Sequence, residues 1–290
     1  MRPILIAFSL LALWLPYRAR AEQGSFFAVV ADPQFGMYSK DQNFAHETAN
    51  FEYVIANLNR LHPRFVVICG DLVNRTGDAG EIAEYKRIVE QLDPSIPVYN
   101  VAGNHDLGNV PTATTLAAYR KAFGPDYYTF SQGDILGIVL DSSLIASPQG
   151  DAQAAREQEQ WLRETLAAAR SHPKQRIVIF QHIPYFTRDP GEAAGYFNIP
   201  EPNRQIYLNL LQQAGVQWVF AGHYHRNAGG ADGSLQEIVT GAAGMPLGGS
   251  RSGFRIVMDD GQQLSPEWYC LGGIPDEVEI GKQTPTPCSQ

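Results

Sequence analysis

From residue 26 onward, short apolar runs alternate with longer stretches in which apolar residues recur every three or four positions. FFAVVA (26–31), FVVICG (65–70), VYNVAG (98–103), RIVIFQ (176–181) and WVFAG (218–222) are short and apolar at almost every position, the pattern of buried strands. Between them, the spacing predicts helices over 43–61, 81–92, 114–123, 156–170 and 204–214. Strands separated by helices predict an α/β sheet covered on both faces. Two stretches depart from that alternation. Residues 127–141 read as two strands across a Gln-Gly-Asp turn, and 235–244 runs to 254–260 with no helical pattern between. These are expected to form a second, more antiparallel sheet. The chain shows no repeat or linker, so one domain over 22–272 with a loose tail over 273–290 is expected.

The first 21 residues follow another logic: a basic start, an apolar run of 12 residues from Ile4 to Leu15, and a small-x-small site at Ala19-Arg20-Ala21. This is the pattern of a cleaved export signal, and the run falls short of the roughly 20 residues an uncleaved membrane anchor would need. Removal would take Arg2, Arg18 and Arg20 and no acid, moving the net charge from −8 to −11. The mature chain is then expected in the periplasm or outside the cell, with no stable membrane span. Its acidity and lack of a basic patch argue against a nucleic-acid-binding scaffold. With 290 residues, 44% of them hydrophobic and 18% charged, the chain has material for one large core and lacks the composition of a disordered tail. Oligomeric state is not legible. Of three cysteines, Cys270 and Cys288 make the plausible disulfide of an exported chain, and Cys69 inside FVVICG reads as a small core residue.

The chemistry lies where the strands stop. The first run ends in Asp32-Pro33-Gln34, the second in Gly70-Asp71, the third in Gly103-Asn104-His105-Asp106, the fourth in Gln181-His182 and the fifth in Gly222-His223-Tyr224-His225. Ligands of open α/β sheets bind outside the carboxyl ends of the strands, so these polar clusters are expected to converge. Any one of them alone would be an ordinary turn. Four of seven histidines fall at such ends, whereas His46, His62 and His172 lie on or after helices and read as structural.

This order, D-x-Q, GD, GNHD, H, GHxH, resembles the calcineurin-like metallophosphoesterase superfamily. The resemblance implies a four-layer αββα sandwich of two mixed sheets flanked by helices. It also implies two divalent ions bridged by Asp71. One would take Asp32, Gln34 and His225, and the other Asn104, His182 and His223. Such a pair, about 3.5–4 Å apart, holds phosphoryl oxygens and lowers the pKa of water so that a nucleophile exists near neutrality. His105 would then be the general acid, with Asp106 orienting it and raising its pKa. Much of the superfamily has His where this chain has Gln34; a neutral amide oxygen favours Mn²⁺, Mg²⁺ or Fe²⁺ over Zn²⁺, which still fits. Asn74 stands where purple acid phosphatases carry a Tyr three residues after the bridging Asp. The string Asp-Pro-Gln-Phe-Gly resembles the branch called calcineurin-like phosphoesterase domain-containing protein 1, described as serine/threonine phosphatases.

Around these motifs, Tyr185, Phe186 and Tyr224 are candidate pocket residues, Arg226 a candidate phosphate contact, and the Gly/Pro-rich loop 187–203 a candidate lid. The expected activity is hydrolysis of phosphate monoesters. A phosphodiesterase acting on nucleotides or lipid headgroups would use the same core, and an inactive phosphate-binding protein would follow if Gln34 had cost the first ion.

Overall fold

The computed structural model describes residues 24–172 and 174–282. The export-signal segment 1–21, and Cys288 with the pairing expected of it, lie outside the described residues. In chain order the elements are β1 (Ser25–Val30), α1 (Ala45–Leu61), β2 (Val66–Cys69), α2 (Ala79–Val89), β3 (Val98–Val101), α3 (Asn104–Leu107), α4 (Ala113–Phe123), β4 (Tyr128–Gln132) and β5 (Ile135–Val139). There follow α5 (Ser142–Ala146), α6 (Ala152–Ala169), β6 (Arg176–Phe180), α7 (Asn203–Gln213), β7 (Trp218–Ala221), β8 (Ala228–Asp232), β9 (Leu235–Val239), β10 (Gly253–Asp259) and β11 (Leu264–Cys270).

The strands form two mixed sheets, ordered β11-β10-β1-β2-β3 and β4-β5-β6-β7-β9-β8. In the first, β1, β2 and β3 are parallel, β10 pairs antiparallel with β1, and β11 pairs antiparallel with β10 at the edge. The second has parallel β5, β6, β7 and β9 between antiparallel β4 and β8. The helix-flanked strands therefore do not share one sheet, and 127–141 and 254–260 do not form the other. A strand apolar on both faces suits either a sheet with helices on each side or two stacked sheets with helices outside, and periodicity alone cannot separate these.

Alternation along each strand builds the layers. Phe27, Val29, Phe65, Val67, Cys69 and Val101 from the first sheet meet Phe130, Val139, Val178, Phe180 and Phe220 from the second in one buried core. Its rings stack closely, Phe27 on Phe65 at 4.6 Å and Phe180 on Phe220 at 5.7 Å between centroids. The alternate positions Ala28, Val30, Val66 and Ile68 face α1 and α2 through Phe51, Val54, Leu58, Tyr85 and Ile88. Ile138, Ile179 and Val219 face α6 and α7 through Leu162, Leu166, Leu208 and Leu211. The result is a four-layer αββα sandwich. No helix of the described residues is long and apolar enough to cross a membrane.

The end of the described chain is docked, not loose. Ile274, Val278 and Ile280 pack against the first core, and Arg60 donates to the carbonyls of Pro275 (2.9 Å) and Asp276 (2.5 Å). These apolar positions are spaced too irregularly to read as an element.

Candidate metal centre

Asp32 and Gln34 follow β1, Asp71 follows β2, Asn104 opens α3 after β3, His182 follows β6, and His223 and His225 follow β7. All seven side chains are buried. Five of them occupy left-handed backbone: Asp32 (φ 51°), Gln34 (39°), Asp71 (49°), His223 (67°) and His225 (54°). Each such non-glycine residue costs about 1–3 kcal/mol, and strain of this kind persists where surrounding structure over-determines it. Here the chain turns back sharply at the strand ends and aims side chains across the gap between sheets. Two glycines make room. A Cβ on Gly103 would collide with the backbone and carboxylate of Asp71, and one on Gly70 (φ +80°) would lie 2.5 Å from the His182 ring.

Possible ligand atoms form two clusters, Asp71 with His182 and His223, and Asp32 with Asp71 and His225, the atoms of each lying within 4.8 Å of one another. Asp71 belongs to both. Its Oδ2 is 3.2 Å from His182 Nε2, and Asp32 Oδ1 is 3.4 Å from His225 Nε2. Asn104 Oδ1 lies 3.0 Å from His182 Nε2, which puts the amide oxygen on the cluster.

Hydrogen bonds fix which atom each residue turns inward. His182 Nδ1 is 2.9 Å from Cys69 O and His225 Nδ1 is 2.5 Å from Met245 O; each ring nitrogen there is the donor, so Nε2 is left for the cluster. His223 is reversed: Nε2 donates to Tyr196 O (2.8 Å), leaving Nδ1. Asn104 Nδ2 donates to Asn109 Oδ1 (2.8 Å) and Tyr196 Oη (3.2 Å). Gln34 follows by elimination. The Asp41 carboxylate can only accept, so Asn74 donates to it through Nδ2 and turns Oδ1 to Gln34 Nε2 (3.0 Å). Gln34 Oε1 is then a buried acceptor with no protein partner. An orphaned oxygen beside two carboxylates and three imidazoles fits a hard divalent cation, and with it the donor set suits one ion on each side of Asp71.

The charges agree. Burial pushes Asp32 up to about 6 against the pull of His225 and His182. Burial would raise Asp71 too, but the charge and hydrogen bond of His182, with His105 and His223, hold it well below the usual range. Burial opposes the charge on His182, yet Asp71 and Asp32 lift it to about 9. Burial, then the His182 charge, push His223 down to about 3.

His105 sits half-buried beside the cluster. Its backbone N–H donates to Asp71 Oδ1 (2.8 Å), and its Nδ1 donates to Asn74 O (2.7 Å), leaving Nε2 outward. Asp106 does not orient it. The Asp106 carboxylate accepts from the backbone N–H groups of Gly103 (2.8 Å), Leu72 (3.2 Å) and Val73 (3.1 Å), pinning the turn after β2 to the turn after β3. Burial, then Asp71, push it up to about 7. Consecutive helical residues diverge by about 100°, so Asp106 faces away from His105.

The pocket candidates divide. Tyr185 does not reach the cleft: it and Phe186 are fully buried in the core of the second sheet, Tyr185 against Tyr207. The Arg226 guanidinium lies 4.6 Å from the Tyr224 ring centre, both residues partly exposed. The loop 187–203, the candidate lid, is pinned by hydrogen bonds in this conformation. The Glu192 carboxylate accepts from the backbone of Thr187 (2.8 Å) and Arg188 (3.1 Å) and from Asn198 Nδ2 (2.7 Å), while fully buried Arg204 donates to the carbonyls of Ile199, Pro190 and Glu192. The loop thereby presents Tyr196, whose ring lies 4.9 Å from that of His223. Nothing in the local sequence singles out Tyr196, or Asn74 as the support of His105, since each acts partly through a backbone carbonyl.

Comparison with known proteins places this geometry. The calcineurin-like phosphoesterase family matches residues 27–227. The chain is 36% identical over 261 residues to a zebrafish (Danio rerio) protein named serine/threonine-protein phosphatase CPPED1, covering 85% of this chain and 84% of that one. It is 33% identical over 282 residues to the Bos taurus protein of the same name, covering 90% of each. Among solved structures, a dimetal phosphatase from Danio rerio superimposes with a TM-score of 0.57 at 18% identity, over 83% of this chain and 98% of that one.

Proposed function

The chain belongs to the calcineurin-like phosphoesterase family and is a metal-dependent hydrolase, and from that premise we propose that it is an exported phosphatase acting on phosphate monoesters, phosphoserine and phosphothreonine among them. Two donor clusters sharing Asp71 are the observation that carries the reading. Asp32, Gln34, Asp71 and His225 would hold one ion, and Asp71, Asn104, His182 and His223 the other. When bound, the two ions neutralise the phosphoryl oxygens and bring the pKa of water toward neutrality. Mn²⁺, Mg²⁺ or Fe²⁺ suits the Gln34 amide better than Zn²⁺.

The protein's own part is positioning and proton transfer. His105, held at Nδ1 by Asn74 O, gives its Nε2 proton to the departing oxygen. Asp106 keeps the two strand-end turns in register, so that Asp71 and Asn104 arrive together. Arg226 reaches an outer phosphate oxygen. Relatives named serine/threonine-protein phosphatases support the monoester class. The leader-like segment 1–21 supports export.

The test uses residues 22–290, stripped of metal and reloaded with Mn²⁺, on p-nitrophenyl phosphate and bis-p-nitrophenyl phosphate. Preference for the monoester is expected. Preference for the diester would overturn the monoester assignment, and no turnover of either with any of Mn²⁺, Mg²⁺, Fe²⁺ or Zn²⁺ would overturn the enzymatic one.

A further inference from the structure

A cavity of about 300 Å³ opens against His223, bounded by α5, the pinned loop and the turn after α3. Its polar lining is Asn109, Ser147, Tyr196, Asn198 and His223; the rest is apolar or glycine, and no Lys, Arg, Asp or Glu faces it. It touches the centre on one side only, because His223 belongs to the Asp71–His182–His223 cluster and Tyr196 bonds Asn104.

The polar groups here are partly committed. Asn198 is spent on Glu192, the Ala193 carbonyl and the Gly195 N–H. Asn109 uses its oxygen on Asn104, which leaves its amide N–H groups to the exposed side. Tyr196 Oη accepts from Asn104, so its own O–H proton remains to be donated. The cavity thus offers uncharged hydrogen-bond donors and apolar wall. A second phosphate or a carboxylate placed there would exchange hydration for neutral dipoles and find no cationic side chain in the lining.

Resting on the phosphoesterase reading above, we propose that this cavity is the subsite for the group esterified to the phosphate, and that it selects uncharged, hydrogen-bonding groups over anionic ones. Tyr196 and Asn109 donate to such a group, and Tyr196 holds its place because Arg204 and Glu192 pin the loop. Monoesters carrying a second anionic group, such as sugar bisphosphates, are then poor substrates even though their phosphate suits the metal centre.

The test compares phenyl phosphate with 4-carboxyphenyl phosphate on the Mn²⁺-loaded enzyme and on Ser147→Lys, which sets a cation in the lining at the partly exposed end of α5, at a residue with no part in the centre. The ratio of kcat/KM for the carboxylated ester to that for phenyl phosphate is expected to rise about fivefold in the variant, the most that a partly exposed ion pair usually supplies. The change should fall in KM, with two metals per chain in both proteins. A second variant, Tyr196→Phe, should raise KM for 4-acetylphenyl phosphate, whose uncharged carbonyl can accept from the Tyr196 hydroxyl, and leave KM for phenyl phosphate unchanged, without loss of metal. An unchanged ratio in Ser147→Lys, or a wild type that prefers the carboxylated ester, overturns the subsite. Failure of the wild type to hydrolyse either ester would instead sink the phosphoesterase reading on which it rests.

Discussion

Replacing Asp106 by Ala separates a structural role from a catalytic one. The carboxylate satisfies three backbone N–H groups, of Gly103, Leu72 and Val73, in a place where the side chain is only 4% exposed. Leaving one buried donor unpaired costs about 1–3 kcal/mol, so losing three acceptor contacts should cost roughly 3–9 kcal/mol, less whatever water recovers in the vacated space. That is a large share of the roughly 5–15 kcal/mol by which a domain is stable. The same bonds hold Asp71 and Asn104 in register, so metal affinity should also fall by about 10–100-fold, as when other supports behind ligands are removed. Urea unfolding of the metal-free protein and calorimetric Mn²⁺ titration read the two effects separately. If Asp106→Ala kept wild-type stability and metal affinity but lost activity and moved the acidic or basic limb of the pH–rate profile, the carboxylate would be acting through His105, and its assignment as a structural pin would be wrong.

Other parts of the structure lead to three more expected outcomes. His105→Asn should retain two metals per chain yet lower kcat by about 10²–10⁴-fold, most for esters with basic leaving groups; loss of metal would instead make it a ligand. Gln34→His should tighten Zn²⁺ binding relative to Mn²⁺, measured by competition, because imidazole replaces the orphaned amide oxygen; no change would mean Gln34 Oε1 is not a ligand. Asp141, a buried helix cap, is pushed by burial, then by Asp126, up to about 8. Its folded pKa exceeds the unfolded value near 4, so the fold holds the extra proton and stability should fall as pH rises from about 4 to about 8. Asp141→Asn should remove that part of the slope in urea titrations across this window, and parallel curves for the two proteins would show that the carboxyl is ionised in the fold.

Much of the site is legible because strand ends announce themselves. Asp32, Asp71, Asn104, His182, His223 and His225 each close an apolar run, and topology carries such ends together whichever sheet they belong to. The partition into two sheets is not legible, since β1 and β6 are equally apolar on both faces and only packing decides that Phe27 meets Phe180. Asp106 misleads because adjacency along the chain is not adjacency on a helix. Tyr185 misleads because the residues after His182 turn back into the second core. Tyr196 and Met245 escape notice because they serve the centre through backbone carbonyls, which every residue type possesses. The hydrogen bonding of loop 187–203 is hidden for a related reason: Arg204 holds it by its carbonyls, and the Gly/Pro content that suggests a lid also permits tight, self-bonded turns.

The central claim is that two ions share Asp71, and electron paramagnetic resonance of the protein loaded with two equivalents of Mn²⁺ tests it most directly. A bridging carboxylate predicts an exchange-coupled pair, a spectrum with many closely spaced hyperfine lines that collapses to the six-line signal of a lone ion in Asp71→Ala or at one equivalent. A six-line signal growing in proportion to Mn²⁺ through two equivalents, with no coupled spectrum, would mean separate sites and would contradict the shared carboxylate.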